Sequence, residues 1–247
     1  MPYATSELSK TINNLIEGNK IQKGGSKFNL SNLSNLFKLI SDKKSFFILT
    51  FANLITQLGI TFYFMEKTNL DPNDTETTKT IRLLGLLQIG IILILVFVPM
   101  PVWLKFIIFS LFSAIWGYMY SSLRLLLGED NIKMALMGTI SIFALMFTFG
   151  IGLILSGIQL GLKFGLILFY ILLFLLLIRI TQLFIPTSSL TKKFIAIFSI
   201  MLFSVYIIYD TNSILQRNYY GDFITASMDY YLDILNIFAN LLSFGRD

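Results

Sequence analysis

Residues 194–210, FIAIFSIMLFSVYIIYD, are sixteen uncharged residues closed by an aspartate, and reading them decides what kind of protein this is. At ~1.5 Å per helical residue the run is nearly long enough to cross ~30 Å of hydrocarbon. Asp210 therefore ends an apolar helix in or near the membrane, where a charged side chain costs about 2.5–3.5 kcal/mol even on lenient insertion scales. Asp233 has the same difficulty, inside the moderately apolar residues 229–244, DYYLDILNIFANLLSF. An intramembrane acid is a functional-site candidate by default.

The rest of the chain makes a membrane setting unavoidable. Of 247 residues, 55% are hydrophobic and only 13% charged, with mean hydropathy +0.74. A soluble domain would carry about a quarter charged residues. The length fits one bundle. Apolar segments run from about Ser45 to Met65, Leu83 to Met100, Val102 to Ser121, Ile132 to Leu155 and Gly161 to Ile180, and two more begin near Phe194 and Phe223. The fold class expected is an all-α integral membrane protein, a bundle of seven transmembrane helices over residues 43–247. Hydropathy identifies six of the seven by itself. The seventh is weaker and must be buried against protein.

Residues 1–42 form a polar tail rich in Asn, Ser and Lys, without the features of a secretory signal. Leu30, Leu33, Phe37 and Ile40 fall at helical spacing, as in a helix lying in the interface; a tail without fixed structure fits the same residues. The tail carries Lys27, Lys38, Lys43 and Lys44 against Asp42, whereas residues 66–82 carry four acids against three bases. That bias places the N-terminus in the cytoplasm. Arg179, Lys192 and Lys193 disagree, since this topology puts their loop outside. The net charge of +5 belongs to these flanks and forms no nucleic-acid-binding stripe.

There is no cysteine and no histidine. Thiol chemistry is therefore excluded, and any response to pH near neutrality must come from carboxyl groups in unusual surroundings. Ser199, Tyr206 and Asp210 are spaced i, i+7, i+11 on one helical face, and Asp229, Asp233, Asn236 and Asn240 form a second stripe at i, i+4, i+7, i+11. Such stripes must face other helices or a water-filled cavity. In a hairpin turning between about Gln216 and Phe223, Asp210 lies ~10 Å and Asp233 ~15 Å from the turn, at similar depth. Two carboxylates close together in a dry site cannot both ionise cheaply and titrate as a unit. Such a pair can hold a proton as a latch between helices or, when ionised, offer oxygen ligands to Ca²⁺. The bland alternative makes Asp210 an interfacial helix end and Asp229 and Asp233 surface acids on a helix that does not cross.

The stretch 199–245, SIMLFSVYIIYDTNSILQRNYYGDFITASMDYYLDILNIFANLLSFG, resembles the C-terminal signature of the Bax inhibitor-1 (transmembrane Bax inhibitor motif) family. Tyr209-Asp210-Thr211 ends helix six, and Tyr231-Leu232-Asp233-Ile234, Asn236 and Phe238 mark helix seven. The resemblance implies seven helices with helix seven in the middle of the other six. It also implies a pH-sensitive Ca²⁺ leak in which Asp210 and Asp233 form a hydrogen-bonded proton sensor and gate. An endoplasmic reticulum or other internal membrane and a role in restraining cell death follow from the same source. Some relatives carry an arginine near the end of helix two that pairs with the helix-six aspartate. Here that region reads FVPMPVWLK, residues 97–105, which leaves Lys105 as the expected counter-charge. Where relatives have an acidic turn between helices four and five, this chain has SGIQLGLK, residues 156–163.

The expected function is thus a proton-modulated leak without enzymatic activity or resident cofactor, whose partners are lipid, Ca²⁺, protons and possible further membrane proteins. A membrane interaction protein that transports nothing stands as the alternative. Intramembrane aspartyl proteolysis is disfavoured, because Tyr231-Leu232-Asp233 replaces the Gly-x-Gly-Asp that chemistry needs.

Overall fold

A computed structural model of the chain describes residues 38, 41–185, 187–216, 219 and 221–244. The tail helix expected over Leu30, Leu33, Phe37 and Ile40 lies outside these residues. The described part contains seven long helices: α1 (Lys44–Lys67), α2 (Thr75–Phe97), α3 (Val102–Leu127), α4 (Glu129–Leu155), α5 (Leu162–Phe184), α6 (Ser189–Gln216) and α7 (Phe223–Phe244). Six of them, α1 to α6, are long and apolar enough to cross a membrane.

Local chemistry sets the helix ends. α2 starts eight residues before the expected Leu83, because the Asp74 side chain accepts the backbone N–H groups of Glu76 and Thr77. This N-cap carries the helix through a polar Thr-Glu-Thr-Thr-Lys-Thr turn that hydropathy reads as loop. α3 begins directly after Pro101, whose fixed φ suits the position ahead of a first turn. Gly128, at φ 80°, ends α3 and starts α4 in a single residue; a side chain there would be strained. α4 closes with Ile158 N–H donating to Leu153 O and Gly157 N–H to Ile154 O, a Schellman arrangement. At the start of α7, Asp222 Oδ1 accepts the Thr225 N–H at 2.9 Å.

Packing inverts what hydropathy alone would suggest. α7, the segment that reads as weakest, packs against α1, α3, α4 and α6, while α2 lies mainly against α3 and α5 against α6. Twelve of the 22 residues of α7 are buried, among them Tyr230 and Tyr231, whereas α2 buries Gln88, Ile91 and Leu95. Lipid would not accept the polar groups of α7; protein neighbours do. Aromatic rings wedge this interior, with Phe109 edge-on to Tyr231 at 5.1 Å and Phe143 edge-on to Tyr230 at 5.4 Å. α1 and α3 are in close contact at Gly117, where an added Cβ would meet Thr61 O at 2.2 Å.

Candidate functional site

Asp210 enters from α6 and Asp233 from α7, and both are buried, 8% and 4% exposed. Their carboxyl groups are close enough to hydrogen-bond to one another. A hydrogen bond between two carboxyl groups requires a proton on one of them. Asp233 Oδ2, buried as well, has no hydrogen-bond partner. Leaving such an oxygen unanswered costs about 1–3 kcal/mol, more if it is charged. Beside the pair, the Tyr230 hydroxyl donates to Thr211 Oγ1 at 3.0 Å, which ties α7 to α6 one residue beyond Asp210.

The other members of the two stripes have distinct surroundings. Tyr206 stacks on Phe203 with ring centroids 6.1 Å apart and lies within electrostatic range of both carboxyl groups. Asp229 Oδ2 accepts the Tyr219 hydroxyl at 3.3 Å, and the Tyr219 ring lies against Phe46 of α1. Burial, followed by the nearby Asp229, pushes the Tyr219 phenol above its ordinary pKa. Asn236 donates to Leu232 O at 2.8 Å within its own helix, and Asn240 donates to Asn236 O at 2.7 Å.

Lys105 is not held at Asp210. Its ammonium donates to Asp222 Oδ2 at 2.6 Å and to the Thr225 hydroxyl. The reason is axial position: Lys105 sits in the first turn of α3, level with the start of α7, while Asp210 lies ~9 Å inside the end of α6. Burial opposes the charge on Asp222, but the Lys105 ammonium and the Thr225 N–H and hydroxyl outweigh it. They hold that carboxyl below its ordinary range. Two other arginines are also away from Asp210, Arg124 on Thr68 O and Asn69 Oδ1 and Arg82 exposed.

Three features escaped the sequence reading. The first is a neutral network joining α1, α3 and α7. Asn53 Nδ2 donates to Ser227 Oγ at 2.5 Å, Gln57 Nε2 to Asn53 Oδ1 and Ser110 Oγ at 3.2 Å each, and Ser113 Oγ to Gln57 Oε1 at 2.9 Å. Thr61 Oγ1 and the Tyr231 hydroxyl complete it at 2.6 Å. Its signal was present as Asn53, Gln57 and Thr61 at i, i+4, i+8 in an apolar helix. The second is Arg179 of α5, whose Nη2 donates to Asn240 Oδ1 of α7 and, at 3.3 Å, to Ser199 Oγ of α6. The third is Asn212, two residues past Asp210, which accepts the Leu160 N–H at 2.9 Å and donates to Ile158 O at 3.0 Å. It thereby grips the α4–α5 turn, residues whose departure from the acidic pattern stood out in the sequence.

As ligands for Ca²⁺, Asp210 and Asp233 supply two carboxyl groups, and among the described residues no cluster of three or more His, Cys, Asp or Glu forms. Resident calcium is held by six to eight oxygens.

The family model described as "Inhibitor of apoptosis-promoting Bax1" matches residues 38–245. Among curated Arabidopsis thaliana proteins, the chain is 38% identical over 82 residues to "BI1-like protein" and 36% identical over 78 residues to "Protein LIFEGUARD 1". It is also 33% identical over 82 residues to "Protein LIFEGUARD 4". Each match spans about a third of this chain and about a third of the relative's length.

Proposed function

The chain belongs to the family of Bax1 inhibitors, and from that premise we propose that it is a pH-sensitive cation leak, with Ca²⁺ as the permeating ion. Six apolar helices and the family together make it a multi-pass integral membrane protein. In the proposal α7 is the seventh transmembrane helix, the N-terminus is cytoplasmic, and the membrane is the endoplasmic reticulum or another internal one. The leak would act in restraining cell death, the role named in the family's description. No reaction is catalysed and no cofactor is kept.

One observation carries this reading: the Asp210 and Asp233 carboxyl groups are both buried and close enough to hydrogen-bond to one another. While the pair holds a proton, the hydrogen bond latches α6 to α7. With both groups ionised, repulsion in a poorly screened interior parts them and leaves oxygen ligands facing a cation. Tyr206 borders the pair, and Asp229, Asn236 and Asn240 extend the polar face along α7. Lys105 serves the fold at the α7 start rather than the latch.

The test is Ca²⁺ flux from liposomes containing the purified chain. Flux should vary with pH, as a coupled carboxyl pair acting as the sensor requires. Asp210→Asn and Asp233→Asn should each flatten that profile. Flux that keeps its pH dependence in both variants would remove the sensor. No flux above empty vesicles would favour an interaction protein without transport.

A further inference from the structure

The polar face of α7 runs from Asp233 past Asn236 to Asn240, seven residues or ~10 Å along the axis, and it ends at a positive charge. Arg179 reaches from α5 to both Asn240 of α7 and Ser199 of α6. Its partners are neutral oxygens. Among the described residues the ion pairs are Lys79–Glu76, Lys105–Asp222 and Lys133–Glu129, and no carboxylate lies within 4 Å of Arg179. An arginine is not deprotonated in proteins, so this site keeps a full positive charge inside an apolar helix. A helix staple would not need that charge: a glutamine would bond the same Ser199 and Asn240 without its desolvation cost.

Resting on the leak reading above, the geometry points to Arg179 as the residue that limits and sorts the permeating cations. In this proposal an ion leaving the Asp210–Asp233 pair follows the polar face of α7 and passes the guanidinium. The repulsion doubles for a divalent ion, because Coulomb energy scales with the product of charges. Arg179 therefore throttles the leak and throttles Ca²⁺ more than K⁺. The acid pair gathers divalent cations; the arginine keeps their passage slow.

The experiment measures Ca²⁺ and K⁺ flux side by side in phosphatidylcholine–phosphatidylglycerol liposomes carrying the full chain. R179Q should raise K⁺ flux by about tenfold and Ca²⁺ flux by about a hundredfold, the order expected for an effective dielectric of ~20 at ~10 Å. R179K should remain near the wild-type ratio. N240D guards against a variant that fails to fold, since it gives the guanidinium a carboxylate partner and tightens the contact while cancelling the field. It too should raise the Ca²⁺ to K⁺ flux ratio. A staple predicts a different pattern: R179Q, which keeps a donor for Ser199 and Asn240, leaving both fluxes near wild type, and N240D leaving the ratio unchanged. Either result overturns the proposal, as does absence of flux from both wild type and R179Q. If instead R179Q shifts the ratio while D210N and D233N leave the pH profile intact, the throttle stands and the proton sensor falls.

Discussion

Helix α7 shows two polar faces to its neighbours, and they are built by different rules. Ser227 and Tyr231 face α1 and α3, where Asn53, Gln57, Thr61 and Ser113 answer each other with neutral hydrogen bonds. Asp229 and Asp233 stand two residues further on, about 200° around the helix at ~100° per residue. There Asp233 meets Asp210 and leaves one oxygen unpartnered. The neutral face specifies one arrangement, because every donor has its acceptor whatever the pH. The acid face specifies an arrangement only for a given number of protons. In the proposed function, stability and responsiveness are thus separated across a single helix, and each can be attacked alone.

The largest expected effect comes from breaking the neutral side at the tight contact around Gly117. Gly117→Val would drive a side chain into the backbone of Thr61 and the side chain of Phe64, contacts with no room to yield. Overpacking of this kind costs about 1–3 kcal/mol or more, and here backbone must move. The variant should lose its monodisperse peak in detergent gel filtration at 37 °C. Retention of a wild-type melting temperature would show that α1 and α3 are further apart than described.

Gln57→Leu is the next step down. It leaves Asn53 Oδ1 and Ser113 Oγ without one of their partners, and a loss of about 1–3 kcal/mol follows. Thermal unfolding in detergent should register the loss, while the pH dependence of flux keeps its shape. A changed pH profile would mean that the two faces are not independent.

Asp233→Asn reverses the pattern. The new amide can donate to Asp210 without needing a proton, so stability should move by less than about 1 kcal/mol in either direction. The pH response of the flux should disappear, as the proposed sensor requires.

The smallest effect belongs to Lys105→Met. Asp222 has a depressed pKa in the folded state, so its pairing adds stability above the unfolded value of about 3.9 and loses it as pH falls through the lower folded value. The Asp222 side chain is 38% exposed, and screening reduces the contribution to less than about 1 kcal/mol. Melting temperatures of wild type and variant should differ slightly at pH 7 and converge in acid, once the pH falls below the lowered Asp222 pKa. A difference that persists in acid would assign the loss to packing of the lysine stem.

The acids were legible because charges stand out against hydrocarbon, and the start of α7 at Phe223 was legible because a polar turn precedes it. Asn53, Gln57 and Thr61 were not noticed, although their spacing is as regular as that of Asp229, Asp233 and Asn236. Amides and hydroxyls are tolerated singly in membrane helices, so they raise no alarm until their partners are known. Arg179 was read as a flank charge because a count of basic residues is blind to the direction of a side chain. The partner of Lys105 was set by its level along the bundle, which depends on how the helices are staggered and not on any spacing within one of them. The onset of α2 was missed for a simpler reason: a well-capped helix can begin in water.

Asn212 gives the interior a mechanical outlet. It belongs to the same turn of α6 as Asp210, yet it holds Leu160 and Ile158 in the turn that joins α4 to α5. Any rotation of α6 that swings Asp210 away from Asp233 must drag that turn or break its two bonds. A proton arriving in the middle of the bundle would then be felt at its rim, and the α4–α5 turn would serve as the pointer on the dial.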